Sequence, residues 1–166
     1  MSTKRETRAQ TYDVGGIRLE RPFRVVRLGH FGFNVRDQET ALCFYSDLLG
    51  LPVTDTRNFG ARVPSGKATG KDPHGYFLRV GADHLSVVLF PHWAFAAMPG
   101  PKHEGTEWIS HMAWQVATLR EVTEGRQWLT ESQVSIARPG GRDARGANWN
   151  FTVTDVDFIS NEIYYG

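Results

Sequence analysis

Alternation of apolar and polar positions is clearest over 25–35, VVRLGHFGFNV, which reads as a strand with one covered face. His30 stands in the middle of it. The period then changes over 37–51, DQETALCFYSDLLGL, where Ala41, Phe44, Tyr45, Leu48 and Leu49 recur at helical spacing. Asp37 is placed to cap this amphipathic helix and Gly50 to end it. LPVTD predicts a short strand, and the Gly-, Pro- and Lys-rich stretch from Arg57 to Gly75 a long loop. YFLRV and HLSVVLF, separated by Gly81, Ala82 and Asp83, predict a hairpin. The order is β-α-β-β-β.

The same order then returns. WISHMAWQV reads as a strand, LREVTEGRQWLTES as a helix, VSIA as a strand and NFTVTDVDFISNEIYY as a closing hairpin. Setting LGHFGFNV over ISHMAWQV pairs His30 with His111, Val35 with Val116 and, beyond the helix, Val53 with Val134, all at an offset of 81. The hairpins align at an offset of 74, which pairs Phe77 with Phe151, Ser86 with Ser160, Val88 with Glu162 and Phe90 with Tyr164. The longer first loop absorbs the difference. The pattern predicts an α+β fold of two βαβββ modules, 24–90 and 108–166, forming a cup-shaped mixed sheet around one site. A linker, 91–107, joins the modules, and a charged N-terminal arm with Gly15-Gly16, 1–23, precedes them.

Composition narrows the class of partner. With 166 residues, 40% of them hydrophobic, the chain can bury a sizeable core. Nineteen basic residues against eighteen acidic ones leave a charge of +1, so no global field draws it to nucleic acid or to an anionic membrane. A small molecule is the expected partner, and an assembly of identical chains is expected. The single cysteine, Cys43, excludes an internal disulfide and a cysteine-rich zinc site, and with no adjacent base it is not marked as a nucleophile. No apolar run approaches the roughly 20 residues of a membrane-spanning helix, and MSTKRETRAQ lacks the apolar stretch of a signal peptide, so a cytoplasmic location is expected.

Candidate chemistry follows from the repeat. A packed core histidine has no reason to recur at the equivalent place in a second module, so His30 and His111 point to a shared site. Glu162 lies in the last strand among apolar neighbours, where a carboxylate is rare unless paired or metal-bound. If the modules pack about a pseudo-twofold, two imidazoles and one carboxylate meet. Such a set binds a non-haem Fe(II) and leaves coordination positions open.

These residues carry a family resemblance. RLGHFGFNVRDQETALCFYSDLLGLPV, SHMAWQV and the terminal NEIYYG resemble the vicinal oxygen chelate superfamily, and most of all the catalytic module of type I extradiol ring-cleavage dioxygenases. The resemblance covers about residues 24 to 166 and implies that His30, His111 and Glu162 are the metal ligands. It implies Fe(II) as cofactor, with Mn(II) or another divalent metal as the alternative, and O2 and an aromatic diol as substrates. Val88, the mate of Glu162, cannot bind a metal, whereas relatives resembling glyoxalase typically supply a further ligand there. Three protein ligands leave room for a bidentate substrate together with O2.

The chain also departs from that pattern. Thr152 and Val156 stand where such dioxygenases have a tyrosine and a proline, and RPGGRDARGANWN lacks their late-loop histidine, holding Arg142, Asp143 and Arg145 instead. For the acid/base position, a gap-free comparison selects Leu85, while strand alternation puts His84 on the inward face with Ser86 and Val88. His84 is the expected acid/base residue. His74, His92 and His103 read as loop histidines. The aromatic connector PHWAFAAMPGPKHEGTEW reads either as a linker over the backs of the sheets or as a wall for an aromatic substrate, and Trp149 and Phe158 admit the same pair of readings. A metal-dependent lyase, isomerase or transferase of the superfamily, and a metal-free drug-sequestering protein, are the competing functions.

Overall fold

The computed structural model describes residues 11–64, 67, 70–83, 85–97, 108–143 and 148–166. Part of the expected N-terminal arm is a hairpin, β1 (Thr11–Val14) and β2 (Ile17–Glu20), separate from the main sheet. Its turn residues, Gly15 and Gly16, have φ of +59° and +82°, a conformation that favours glycine at both positions.

The main sheet has eight strands, ordered β4-β5-β6-β3-β7-β10-β9-β8. One half is formed by β3 (Val25–Val35), β4 (Val53–Asn58), β5 (His74–Leu78) and β6 (Val87–Pro91). The other is formed by β7 (Ile109–Val116), β8 (Ile136–Arg142), β9 (Trp149–Thr154) and β10 (Ser160–Tyr165). The halves meet where β3 pairs antiparallel with β7, and each of these strands pairs in parallel with the last strand of its own half. The strand order is thus the same read outward from the centre in either direction.

Two helical segments cross the back. In the second half, α3 (Leu119–Glu131) opens with a reciprocal cap: the Thr118 hydroxyl accepts from Glu121 N at 3.2 Å, and Glu121 Oε2 accepts from Thr118 N at 2.9 Å. Val122 beneath it packs with Phe23, Val116, Phe151, Val153 and Ile163 in one core cluster. The first half differs from expectation. Asp37 caps α1 (Gln38–Leu42), accepting from Thr40 N at 2.7 Å, but a π-helical turn, Cys43–Leu48, follows. Its wider bonding departs from the 3.6-residue period, so the anticipated apolar stripe is not laid on the sheet: Leu48 is 73% exposed, while Tyr45 still stacks on Phe33.

The connector after β6 begins with a third helix, α2 (His92–Ala97), which sequence periodicity did not single out. Buried Ala94 packs with Phe59, Val88 and Phe90. These residues belong to the opposite face of the sheet from α3, and that face carries the site.

Candidate metal centre

Alternation along β3 sends His30, Gly32 and Asn34 to one face, where all three are buried, and Phe31 and Phe33 to the other. β7 lies antiparallel beside β3, pairing Ala113 with His30 and His111 with Gly32, while β10 on its far side pairs Glu162 with Ala113. Gly32 is required by this crossing. A Cβ there would stand 2.7 Å from His111 Nδ1 and 2.8 Å from the Phe90 ring. With that space open, His30 Nε2 and His111 Nε2 come within 3.0 Å. Potential ligand atoms of His30, His111 and Glu162 all lie within 4.8 Å of one another.

Burial sets the charge of this cluster. The His30 imidazole is pushed down to about 3, by loss of water and then by the charge of His111. His111 falls to about 4, because burial and the nearby Arg138 cation both oppose its protonation. Burial raises Glu162 to about 7, with Arg138 opposing the rise and Asp143 adding to it. Arg138 donates to Asn150 Oδ1 at 2.7 Å and to Glu162 Oε2 at 3.3 Å, so the carboxylate is held by a cation that is itself tethered. At neutral pH both imidazoles keep their lone pairs. Two neutral nitrogens and a carboxylate, converging in a buried place, are a donor set that fits a divalent transition metal.

The cluster lines a cavity of about 830 Å³. Its first-half wall combines the apolar Phe59, Phe77, Val88, Phe90 and Phe95 with Asn34, Arg36, Arg57 and Arg62, and its second-half wall carries Arg138, Asp143, Asn148, Thr152 and Glu162. Cross-strand register shows which positions correspond. Gly32 pairs with Val88 as Ala113 pairs with Glu162, so Val88 is the counterpart of Glu162, as the sequence offset predicts. The other hairpin strand is one residue out. Phe77 pairs with Val88 while Thr152 pairs with Glu162, which makes Thr152, not Phe151, the counterpart of Phe77. Phe151 instead faces the core under α3.

Other expected residues are distributed unevenly. His84, His103 and Arg145 lie outside the described residues. Leu85 and Phe158 line the cavity, the latter with φ of +61°, a strained conformation for an aromatic residue at the tip between β9 and β10. Trp149 is not among the described lining residues, and His74 pairs with Asp72 at 2.8 Å away from the cavity. His92, Phe95 and Ala96 line the cavity, so the aromatic connector contributes to its wall. His92 stacks on Trp108 with ring centroids 4.4 Å apart, and its position directly after a buried strand was the only available signal. Arg138 was missed for a physical reason. By parity it shares a face with Ile136, which packs against the α3 core, but a register shift between the two turns Arg138 to the cavity.

A model of the Glyoxalase/Bleomycin resistance protein/Dioxygenase superfamily matches residues 27–163. The chain belongs to this superfamily. The solved structures that resemble this superfamily member include 2,2',3-trihydroxybiphenyl 1,2-dioxygenase from Sphingomonas wittichii strain RW1, at 18% identity and a TM-score of 0.62 over 84% of this chain and 42% of that one. A catechol 2,3-dioxygenase gives 21% identity and a TM-score of 0.64 over 84% of this chain and 40% of that one. A Mn(II)-bound glyoxalase from Novosphingobium aromaticivorans gives 18% and 0.61 over 84% and 38%. At these identities the likeness is one of fold: a mixed α+β structure with an open eight-stranded sheet, consistent with the vicinal oxygen chelate fold. The chain spans about two fifths of the length of these neighbours. A comparison with curated proteins gives no match.

Proposed function

We propose that this chain is an extradiol-type dioxygenase, opening a catecholic ring beside its diol with O2, and that His30, His111 and Glu162 hold Fe(II). The observation that carries the reading is the convergence of these three side chains, within 4.8 Å, opposite an apolar counterpart at Val88. Iron in this position would supply a two-point anchor for the diol oxygens and the electrons that O2 needs. The chain's own residues do the rest. Phe77, Val88 and Phe90 present an apolar surface to an aromatic ring and keep water from it. Arg138, held by Asn150, fixes the Glu162 carboxylate in place. A proton must leave the diol and another be returned during ring opening, and His84 is the residue proposed to relay them. Thr152 directs a hydroxyl group's chemistry to the same wall, where the extradiol pattern has a tyrosine.

Two dioxygenases among the neighbours support this reading, while the Mn(II)-bound glyoxalase favours a second, a metal-dependent isomerase or lyase. Oxygen separates the two. Protein loaded with Fe(II) without air should, on admission of O2, consume it in proportion to a yellow ring-opened product from some substituted catechol. His84→Ala should lower turnover by roughly two to four powers of ten with iron retained. No oxygen uptake across a broad catechol panel, with iron bound, overturns the dioxygenase reading and moves the assignment to the isomerase or lyase or to a small-molecule-binding protein.

A further inference from the structure

The pairing of β3 with β7 slips at three places, and two of them fall immediately before a histidine. Leu28 and His30 pair with Trp114 and Ala113, so Gly29 is an extra residue in β3; Ile109 and His111 pair with Phe33 and Gly32, so Ser110 is an extra residue in β7. The offset of 81 that relates the histidines relates these two residues as well. A bulge bends its strand and re-aims a side chain. The two halves use it differently. Gly29 has no side chain to aim, and a Cβ there would overlap the phenol of Tyr164, which packs tilted against His30 with ring centroids 5.7 Å apart. Ser110 lines the cavity beside His111, where strict alternation would have sent it to the other face, and its Oγ lies 3.3 Å from His111 Nδ1.

Both ring nitrogens of His111 are thereby engaged, Nδ1 with Ser110 and Nε2 with His30 at 3.0 Å, whereas among the described residues His30 is hydrogen-bonded at Nε2 alone. Two neutral imidazoles that meet through Nε2 share one proton there, so this chain of bonds runs in one of two directions. If Ser110 donates to Nδ1, His111 carries its proton on Nε2 and gives it to His30, whose own proton is left on Nδ1. His30 is 6% exposed, and no described residue accepts from that atom. If Ser110 accepts from Nδ1–H instead, His30 carries its proton on Nε2 and donates it to His111. The last donor is then the serine hydroxyl, which can rotate to find an acceptor. A buried ring N–H without an acceptor is destabilising and a rotating hydroxyl is not, which selects the second direction.

We propose that Ser110 is a positioning residue for His111: its hydroxyl accepts from His111 Nδ1–H and keeps Nε2 unprotonated, ready for a metal before one arrives. His30 is not prepared in this way. It holds its proton on Nε2 in the metal-free protein and must carry it on Nδ1 when a metal binds. The part played by the metal rests on the centre proposed above, and the proton positions in the metal-free protein rest on the bulge alone.

The test uses the full chain, first metal-free and then with Zn(II), a diamagnetic divalent ion, and reads the ring nitrogens of both histidines in proton–nitrogen correlation spectra. At neutral pH the metal-free protein should carry the proton of His111 on Nδ1 and that of His30 on Nε2, and Zn(II) should move the proton of His30 alone. Ser110→Ala should let the His111 proton redistribute to Nε2 and should lower Zn(II) affinity by about 10- to 100-fold, the cost of losing an outer-shell partner. Ser110→Thr, which keeps the hydroxyl, should restore both. Affinity is read by competition with a chromophoric chelator, and thermal midpoints check that the variants are folded. His111 protonated on Nε2 in the wild type, or unchanged proton positions in Ser110→Ala, overturns the proposal. So does an equal loss of affinity in the Ala and Thr variants, which would assign the effect to packing. If the proton positions and their dependence on the serine hold while Zn(II) does not bind, the action of Ser110 on His111 stands and the metal centre fails.

Discussion

The two halves of the sheet place equivalent positions around one cavity and fill them with opposite chemistry. Val88 corresponds to Glu162 and Phe77 to Thr152, whereas Phe90 corresponds to a second aromatic residue, Tyr164, which is not among the described lining residues. The histidines are shared by both halves, and each has an aromatic neighbour from the opposite half: Phe90 is 5.8 Å from His111, and Tyr164 is 5.7 Å from His30. Backbone repetition therefore supplies directions, while side chains decide what each direction does. At the positions equivalent to Glu162 and Thr152 the first half places the apolar Val88 and Phe77 on the cavity wall. A symmetric pair of carboxylates would have closed the centre and left less room for a substrate.

The comparison breaks most visibly if a second-half ligand is removed. His111→Ala and Glu162→Ala should each lower metal affinity by more than the roughly 10- to 100-fold cost of losing an outer-shell partner, whereas His74→Ala should leave it unchanged. Metal content after dialysis checks this. Wild-type occupancy in Glu162→Ala would remove the proposed centre.

Making the halves alike is the next test. Val88 is 1% exposed, so Val88→Glu should destabilise the metal-free protein by about 2–5 kcal/mol through a buried carboxylate without a designed partner. A divalent metal should restore part of that loss, because the new carboxylate is directed at the same centre. Urea unfolding with and without metal decides it, and the absence of any recovery would show that position 88 does not address the ion.

A smaller effect separates the shared histidines from the second half's carboxylate. In the metal-free protein His30 and His111 are pushed down to about 3 and 4, so below their ordinary 6.5 the unfolded chain takes up protons that the folded chain refuses. That contribution lowers stability as pH falls. Glu162 is pushed up from 4.5 to about 7, so the folded chain keeps a proton that the unfolded chain releases, and that contribution lowers stability as pH rises through the same window. Glu162→Gln removes the opposing carboxylate contribution. Between pH 5 and 6.5 it should steepen the acid loss of stability by about 1 kcal/mol per pH unit. An unchanged slope would mean that Glu162 does not keep its proton in the folded state.

The smallest effect is expected at Thr152, 8% exposed and the counterpart of Phe77. Thr152→Val should change stability by only about 1 kcal/mol, the scale of one net hydrogen bond. If the hydroxyl takes part in the proton relay, turnover should fall while metal content stays constant.

The sequence by itself determined the strand through His30, the doubled β-α-β-β-β order and the equivalence of Val88 with Glu162, because alternation and repeat spacing are local properties written along the chain. It also made His30, His111 and Glu162 candidates for one site, and the fold brings them together. Tertiary structure alone decided what depends on long-range registration. The shift in β8 that turns Arg138 towards Glu162 is an irregularity in pairing with β9; Pro139, Gly140 and Gly141 mark the strand as irregular but do not tell to which face Arg138 turns. Likewise Phe77 and Phe151 share a letter and a predicted offset, yet one lines the cavity and the other fills the α3 core, since a one-residue difference in register exchanges the faces of a strand. The stacking of Arg57 and Arg62 over Phe59 has the same origin. It exists because Gly75, on a neighbouring strand, leaves space for Phe59, and a side chain's neighbours across a sheet are chosen by pairing, which periodicity along one strand does not encode.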